Sequence, residues 1–121
     1  MAEKSQSFRD VLVWQKAHAF ALAVYRITES FPKHELFALT SQLRRAAASI
    51  ASNFVEGFRK RTKPDKIRFY NIAQGSADEC LHQLILAHDL HYTDTTVLQT
   101  DLEEASRLLQ GYINGLERDG S

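Results

Sequence analysis

Cysteine occurs once in the 121 residues, at Cys80, so no intrachain disulfide can form and the fold must stand without covalent staples. Proline occurs twice and glycine five times. With so little punctuation, the chain favours a few long helices over many short strands. No apolar run approaches the roughly 18 residues that a membrane span requires, and no basic-apolar leader precedes the first periodic segment. A soluble, cytoplasmic protein is the expectation. Also missing are a glycine-rich phosphate loop, a dinucleotide-binding turn, a nucleophile elbow and paired zinc knuckles. No enzymatic activity, cofactor or metal is therefore expected.

What is present is ordinary globular composition, 44% apolar and 25% charged. One domain of this length buries roughly 65% of its unfolded surface. Formal net charge is zero, but the charges are segregated. From Arg44 to Arg68 there are eight basic residues against two acidic ones; from Asp78 to the end there are nine acidic against two basic. The chain is dipolar rather than neutral.

The periodicity predicts a flexible N-terminal arm over 1–9 and an all-α, up-down antiparallel four-helix bundle over 10–118, with helices at about 10–31, 35–60, 63–90 and 94–117. In the first helix, Asp10 is the expected N-cap and Phe8 part of a hydrophobic staple. Trp14, Ala17, Ala21, Val24, Thr28 and Phe31 form its predicted seam. Val13, Phe20, Ala23 and Ile27 add apolar surface beyond that seam, some of which is expected to meet another subunit. The second helix should be irregular near Thr40 and Ser41, whose hydroxyls compete for backbone hydrogen bonds. Thr62 and Pro64 open the third helix as N-cap and first-turn proline. Gly75 and Ser76 are read as a close approach between helices. Thr93 or Asp94 caps the fourth helix, whose apolar stripe runs through Leu98, Leu102, Ala105, Leu109, Tyr112 and Leu116.

Along the second helix a polar stripe, Gln42, Arg45, Ser49, Asn53, Glu56 and Lys60, recurs every three or four residues beside the apolar one. In an antiparallel hairpin turning near Thr62, level positions sum to about 124. This rule sets Arg45 opposite Glu79 and Ser49 opposite Ser76. A structural polar network of Arg45, Ser49, Asn53, Glu56, Ser76 and Glu79 is thus expected, with an Arg45–Glu79 ion pair fixing helix register. A solvated charged edge is the alternative.

Three features invite chemistry. His88 and His91, with Asp89 between them, stand one helical turn apart, but no third and fourth ligand recur at metal spacing. Cys80 has His82 and His88 nearby in sequence, yet two and eight residues along a helix point in different directions, and a buried structural cysteine is commoner than a nucleophile. His18 and His34 read as surface residues. The third feature is the basic turn: Arg59, Lys60, Arg61, Lys63, Lys66 and Arg68 fall within ten residues, with Phe58, Phe69 and Tyr70 close by as possible stacking groups. Such a cluster can bind phosphates. It can equally meet the acidic fourth helix of a neighbouring subunit, or be a solvated turn.

Taken together, FRDVLVWQKA, VYRITESFP, FALTSQLRRAAASI, SNFVEGF, the basic turn and FYNIAQGSADECLHQL resemble the bacterial 23S rRNA-intervening-sequence protein family over nearly the whole chain. The resemblance implies a four-helix bundle that assembles into a homopentameric ring. The family is similar to accessory proteins of diversity-generating retroelements. That similarity implies binding of RNA or DNA and a protein partner such as a reverse transcriptase. The family's typical positions are all present: Trp14, Gln15, Phe31, Pro32, Arg44, Arg45, Asn53, Glu56, Gly57, Gly75, Ser76 and Glu79. The departures are Ala38 for a common glycine, Phe54 and Val55 for Ile and Ala, and His91 at a helix C-cap where glycine is usual, so His91 must accept a left-handed backbone or the cap is altered.

Overall fold

The computed structural model describes residues 7–119. Four helices, α1 (Leu12–Ile27), α2 (Ser41–Arg59), α3 (Lys63–Asp89) and α4 (Thr96–Arg118), run antiparallel. The α2–α3 seam is the most extensive, α1 packs on α2, and α4 closes the bundle against α3 and α1. Residues 1–6 of the expected N-terminal arm lie outside the described residues.

Each helix buries one stripe at three- and four-residue steps. On α1 this is Val13, Ala17, Phe20 and Val24. Ala17, Val24, Thr28 and Phe31 of the predicted seam are buried, but its other two positions are displaced by one residue: Val13 and Phe20, counted above as surplus surface, belong to the chain's own core, whereas Trp14 and Ala21 are half-buried at its margin. The entry differs as well. Ser7 rather than Asp10 caps a short 3-10 turn at Phe8–Asp10, and Val11 precedes α1 with no side-chain cap. Phe8 does pack edge-on against Trp14, with centroids 5.2 Å apart. On α4 the buried stripe ends at Ile113, leaving Tyr112 and Leu116 half-buried. Asp94 acts there from one residue before the N-cap Thr95, accepting from the Thr96 backbone N–H at 2.9 Å and its hydroxyl at 2.6 Å.

The α1–α2 junction is tied at both ends. Arg44 reaches back from α2, its Nε donating to Thr28 Oγ1 at 2.8 Å, while the guanidinium lies 5.1 Å from the Tyr25 ring centroid. The irregularity expected at Thr40 and Ser41 sits slightly earlier, in a wide turn over Leu36–Thr40, where Ala38 leaves helical geometry at φ −125°, ψ −105°. Glu35 holds this turn from below. Its carboxylate accepts from Leu39 N at 3.5 Å and from the Tyr92 hydroxyl at 2.6 Å, which fastens the α1–α2 junction to the α3–α4 loop. The Tyr92 bond is the main reason the Glu35 carboxyl is held below the usual carboxylate range. Because the folded-state pKa is depressed, this tie stabilises above the ordinary carboxylate pKa and is lost as pH falls through the folded value. Tyr92→Phe should accordingly flatten the acid limb of a stability-versus-pH curve, measured by thermal unfolding.

The opening of α3 has Thr62 Oγ1 accepting from Asp65 N at 3.3 Å and Pro64 in the first turn. At its other end His91 has φ 63°, with His91 N bonded to His88 O and Tyr92 N to Ala87 O, both at 3.0 Å. This is a Schellman closure carried by a residue with a Cβ. His91→Gly should raise stability by about 1 kcal/mol in chemical denaturation, since it relieves the left-handed penalty.

The close approach expected at Gly75 and Ser76 does not involve the glycine. A Cβ at Gly75 would meet nothing within 4 Å, so this position is not a close approach inside the bundle. The tight position is Gly57. A mid-helix glycine costs up to about 1 kcal/mol relative to alanine, and among the described residues no contact offsets this at Gly75.

Candidate nucleic-acid interface

The α2–α3 hairpin places the basic residues at one end of the bundle. Arg59 and Arg61 are exposed and make no hydrogen bond or ion pair among the described residues. Lys60 and Arg68 converge on one ring: Lys60 Nζ and the Arg68 guanidinium each lie 5.1 Å from the Phe69 centroid. The two cations and the aromatic surface are thus fixed together, each contact of a kind worth about 0.5–1 kcal/mol at an exposed site. Lys63 opens α3, so the cluster also adjoins a helix N-terminus, whose dipole adds positive potential.

Lys66 does something else. Its ammonium turns inward and donates to Phe58 O at 2.7 Å and Gly57 O at 3.3 Å, closing the C-terminal carbonyls of α2. Burial lowers its pKa. Lys66 is spent on holding the turn, and the outward set reduces to Arg59, Lys60, Arg61 and Arg68, with Lys63 beside them. Sequence spacing alone could not separate these, because a lysine on the first turn of a helix reaches either solvent or the preceding helix end. Of the proposed stacking groups, Phe69 is half-buried beneath its cations, whereas Tyr70 is fully buried and out of reach.

The proposed polar network divides. Ser49 Oγ and Ser76 Oγ are 2.8 Å apart across α2 and α3, and Asn53 Nδ2 donates to Ser49 Oγ at 2.8 Å and Ser49 O at 2.9 Å. These three form the seam. Arg45 and Glu79 do not pair: both are exposed, and among the described residues no ion pair joins them. Glu79 instead accepts from Gln83 Nε2, one turn along α3, at 3.4 Å. Glu56 is also exposed and bonded to nothing described. The level rule gives height along a hairpin but not direction around each helix. Ser49 and Ser76 face the seam, whereas Arg45 and Glu79 sit on outward sides, where hydration outweighs a Coulomb gain.

The remaining candidates resolve as structural. His88 Nδ1 accepts from Thr95 N at 3.3 Å and lies 3.7 Å from Asp94 Oδ1, which ties the end of α3 to the α3–α4 loop. Among the described residues no three His, Cys, Asp or Glu side chains are grouped to hold a metal. Cys80 is fully buried, and burial, with the nearby Glu79 charge, pushes its thiol to about 12. It is a core side chain rather than a thiolate.

The pattern of the 23S rRNA-intervening sequence protein family matches residues 9–111, most of the chain. The chain belongs to that family. It is also similar to a crystal structure of a protein of unknown function from the S23 ribosomal protein family of Bacteroides thetaiotaomicron, with TM-score 0.76 and 25% identity over 84% of this chain and 98% of that one. No curated protein matches it. Within this intervening-sequence protein, no described helix is long and apolar enough to cross a membrane.

One further surface was not foreseen. Leu22, Tyr25, Leu36 and Phe37 are exposed along α1 and the α1–α2 junction, Phe37 by 91%. Tyr25, Leu36 and Phe37 border a hollow of about 720 Å³ that Arg44 and Arg45 also line, and Leu22 borders the adjoining one of about 390 Å³. The signal lay in the phase of α1: with Val13 and Phe20 inward, Leu22 and Tyr25 must face out.

Proposed function

We propose that this intervening-sequence protein is a non-enzymatic, homo-oligomeric bundle that binds RNA or DNA through its α2–α3 turn, with a pentameric ring as the expected assembly. The observation that carries the reading is the convergence of Lys60 and Arg68 on Phe69 beside the N-terminus of α3, with Arg59 and Arg61 exposed on the same turn and no acidic partner described for either. Such a patch recognises backbone phosphate through charge and offers little base readout. Repetition around a ring would multiply its effective affinity.

The test is a salt titration of binding to structured RNA and to single-stranded DNA. Affinity should fall linearly with salt on logarithmic axes, and neutralising Arg59, Lys60 and Arg61 to Gln should flatten the slope by about 2–3. No salt-sensitive binding at low ionic strength, or binding unchanged in the triple variant, rules the reading out. The exposed apolar face over α1 and α2 favours a second reading, a ring-forming protein scaffold whose charge asymmetry serves assembly. In that case light scattering still reports a multimer while nucleic acid fails to bind.

A further inference from the structure

Three aromatic residues stand beside the basic turn, and each is already engaged. Tyr70 is fully buried and stacked on Phe54 at 5.1 Å. Phe58 is half-buried, with Lys66 Nζ 5.6 Å from its ring centroid. Phe69 is half-buried and holds both Lys60 and Arg68. A base stacking on Phe69 would have to displace one of these cations, and with it the charge that draws the strand in. Proteins that hold single strands without sequence preference combine a basic groove with aromatic faces on which successive bases stack. This turn offers no such face. It is the tip of a helix hairpin, with Arg59, Arg61 and Pro64 exposed, and the hollows of about 720 and 390 Å³ over α1 and α2 include none of its residues.

What the turn does offer is charge held in place. Lys60 Nζ and the Arg68 guanidinium each lie 5.1 Å from one centroid, so they are at most about 10 Å apart. Among the described residues no ion pair joins either of them to a carboxylate. The ring limits the swing of two long side chains, so less conformational freedom is lost when both meet phosphate. That gain is greatest against a backbone whose phosphates are themselves held at regular spacing. A double helix supplies one, with a charge per roughly 1.7 Å of its axis, and keeps its bases stacked inside. A flexible single strand must first be ordered.

We propose that the α2–α3 turn takes the phosphate backbone of a double helix in preference to a single strand, and that Phe69 is a positioning residue that holds Lys60 and Arg68 for it rather than a platform for bases. The contact is made to phosphate, so RNA and DNA duplexes are both ligands of this class. This deepens the nucleic-acid reading above and rests on it.

The experiment is fluorescence anisotropy at fixed low salt, with the full chain and four probes of equal strand length: an RNA duplex, a DNA duplex, oligo-dT and an abasic strand. Both duplexes should bind several times more tightly than oligo-dT, and the abasic strand should bind as well as oligo-dT because no base is held. Phe69→Leu should weaken duplex binding by about three- to tenfold, the scale of two lost ring contacts, and should affect oligo-dT less. Phe69→Tyr keeps the ring and should keep wild-type affinity, with circular dichroism confirming intact helices in both variants. If Phe69→Leu unfolds, the four probes on the wild type still decide. A wild type that binds none of them overturns the nucleic-acid reading together with this inference. Oligo-dT bound as tightly as the duplexes, an abasic strand bound more weakly than oligo-dT, or a folded Phe69→Leu that loses oligo-dT more than duplex overturns this inference alone.

Discussion

Gly57→Ala should destabilise the protein by about 2–3 kcal/mol, the upper part of the range for overpacked cores. A Cβ at this position would lie 2.5 Å from Tyr70 Cε1, 2.8 Å from Tyr70 Cδ1 and 3.1 Å from Lys66 O. Neither neighbour is free to yield. Lys66 O belongs to the first turns of α3, and the Tyr70 ring is fully buried, stacked on Phe54 at 5.1 Å and edge-on to Tyr112 at 5.6 Å. Alanine would gain up to about 1 kcal/mol in helix propensity, which reduces the loss without reversing it. For a domain of this size the melting temperature should fall by roughly 4 °C per kcal/mol. Tyr70→Leu in the same chain should recover part of the loss, because it removes the atoms that collide, and a double-mutant cycle would read that coupling directly. An unchanged or raised melting temperature for Gly57→Ala alone would show that α2 and α3 are not packed as described.

Two of the helical glycines, Gly57 and Gly75, show what a single sequence can and cannot convey. Both stand in helical periodicity and both match the family pattern, yet one is pressed against a tyrosine ring and the other faces open space. Local chemistry was legible where a residue acts on its own backbone: Thr62 and Pro64 at the start of α3, the left-handed His91 at its end. The Ser49–Ser76 bond was legible too, because short side chains at the same height in a hairpin have few places to go. Long side chains escaped this logic. Arg44 turns back to Thr28 and Tyr25, its neighbour Arg45 points outward, and Lys66 folds under α2. Spacing places their Cα atoms, but several rotatable bonds decide where each charge ends. Phase was the other weak point. A one-residue error on α1 exchanged Val13 and Phe20 for Trp14 and Ala21, and with that the outward Leu22 and Tyr25 went unnoticed.

Phe54→Ala should cost about 3–5 kcal/mol, the range for emptying a buried aromatic site. Phe54 is wholly buried and touches three other rings, with centroids 5.1 Å to Tyr70, 5.4 Å to Tyr112 and 6.1 Å to Phe58. It therefore joins α2 to both α3 and α4. Against a total stability of roughly 5–15 kcal/mol, the variant should remain folded only at low temperature or denaturant. Phe54→Ile restores the residue that the family resemblance makes usual and should lose less, about 1–2 kcal/mol, since most of the volume is kept. Tyr70→Phe supplies the opposite sign. Among the described residues its buried hydroxyl makes no well-formed hydrogen bond and has only the Tyr112 side chain as a polar neighbour, so removing it should be close to neutral or stabilising. Urea denaturation of the three variants tests the aromatic cluster as a unit. An order other than Phe54→Ala least stable, Phe54→Ile intermediate and Tyr70→Phe at or above wild type would mean that ring packing does not dominate this end of the bundle. The cluster underlies the basic turn, because Lys66 anchors that turn to the carbonyls of Gly57 and Phe58. Phe54→Ala should therefore loosen the phosphate-facing cations before the far end of the bundle opens, and amide hydrogen exchange at residues 58–66 should rise ahead of exchange along the middle of α3.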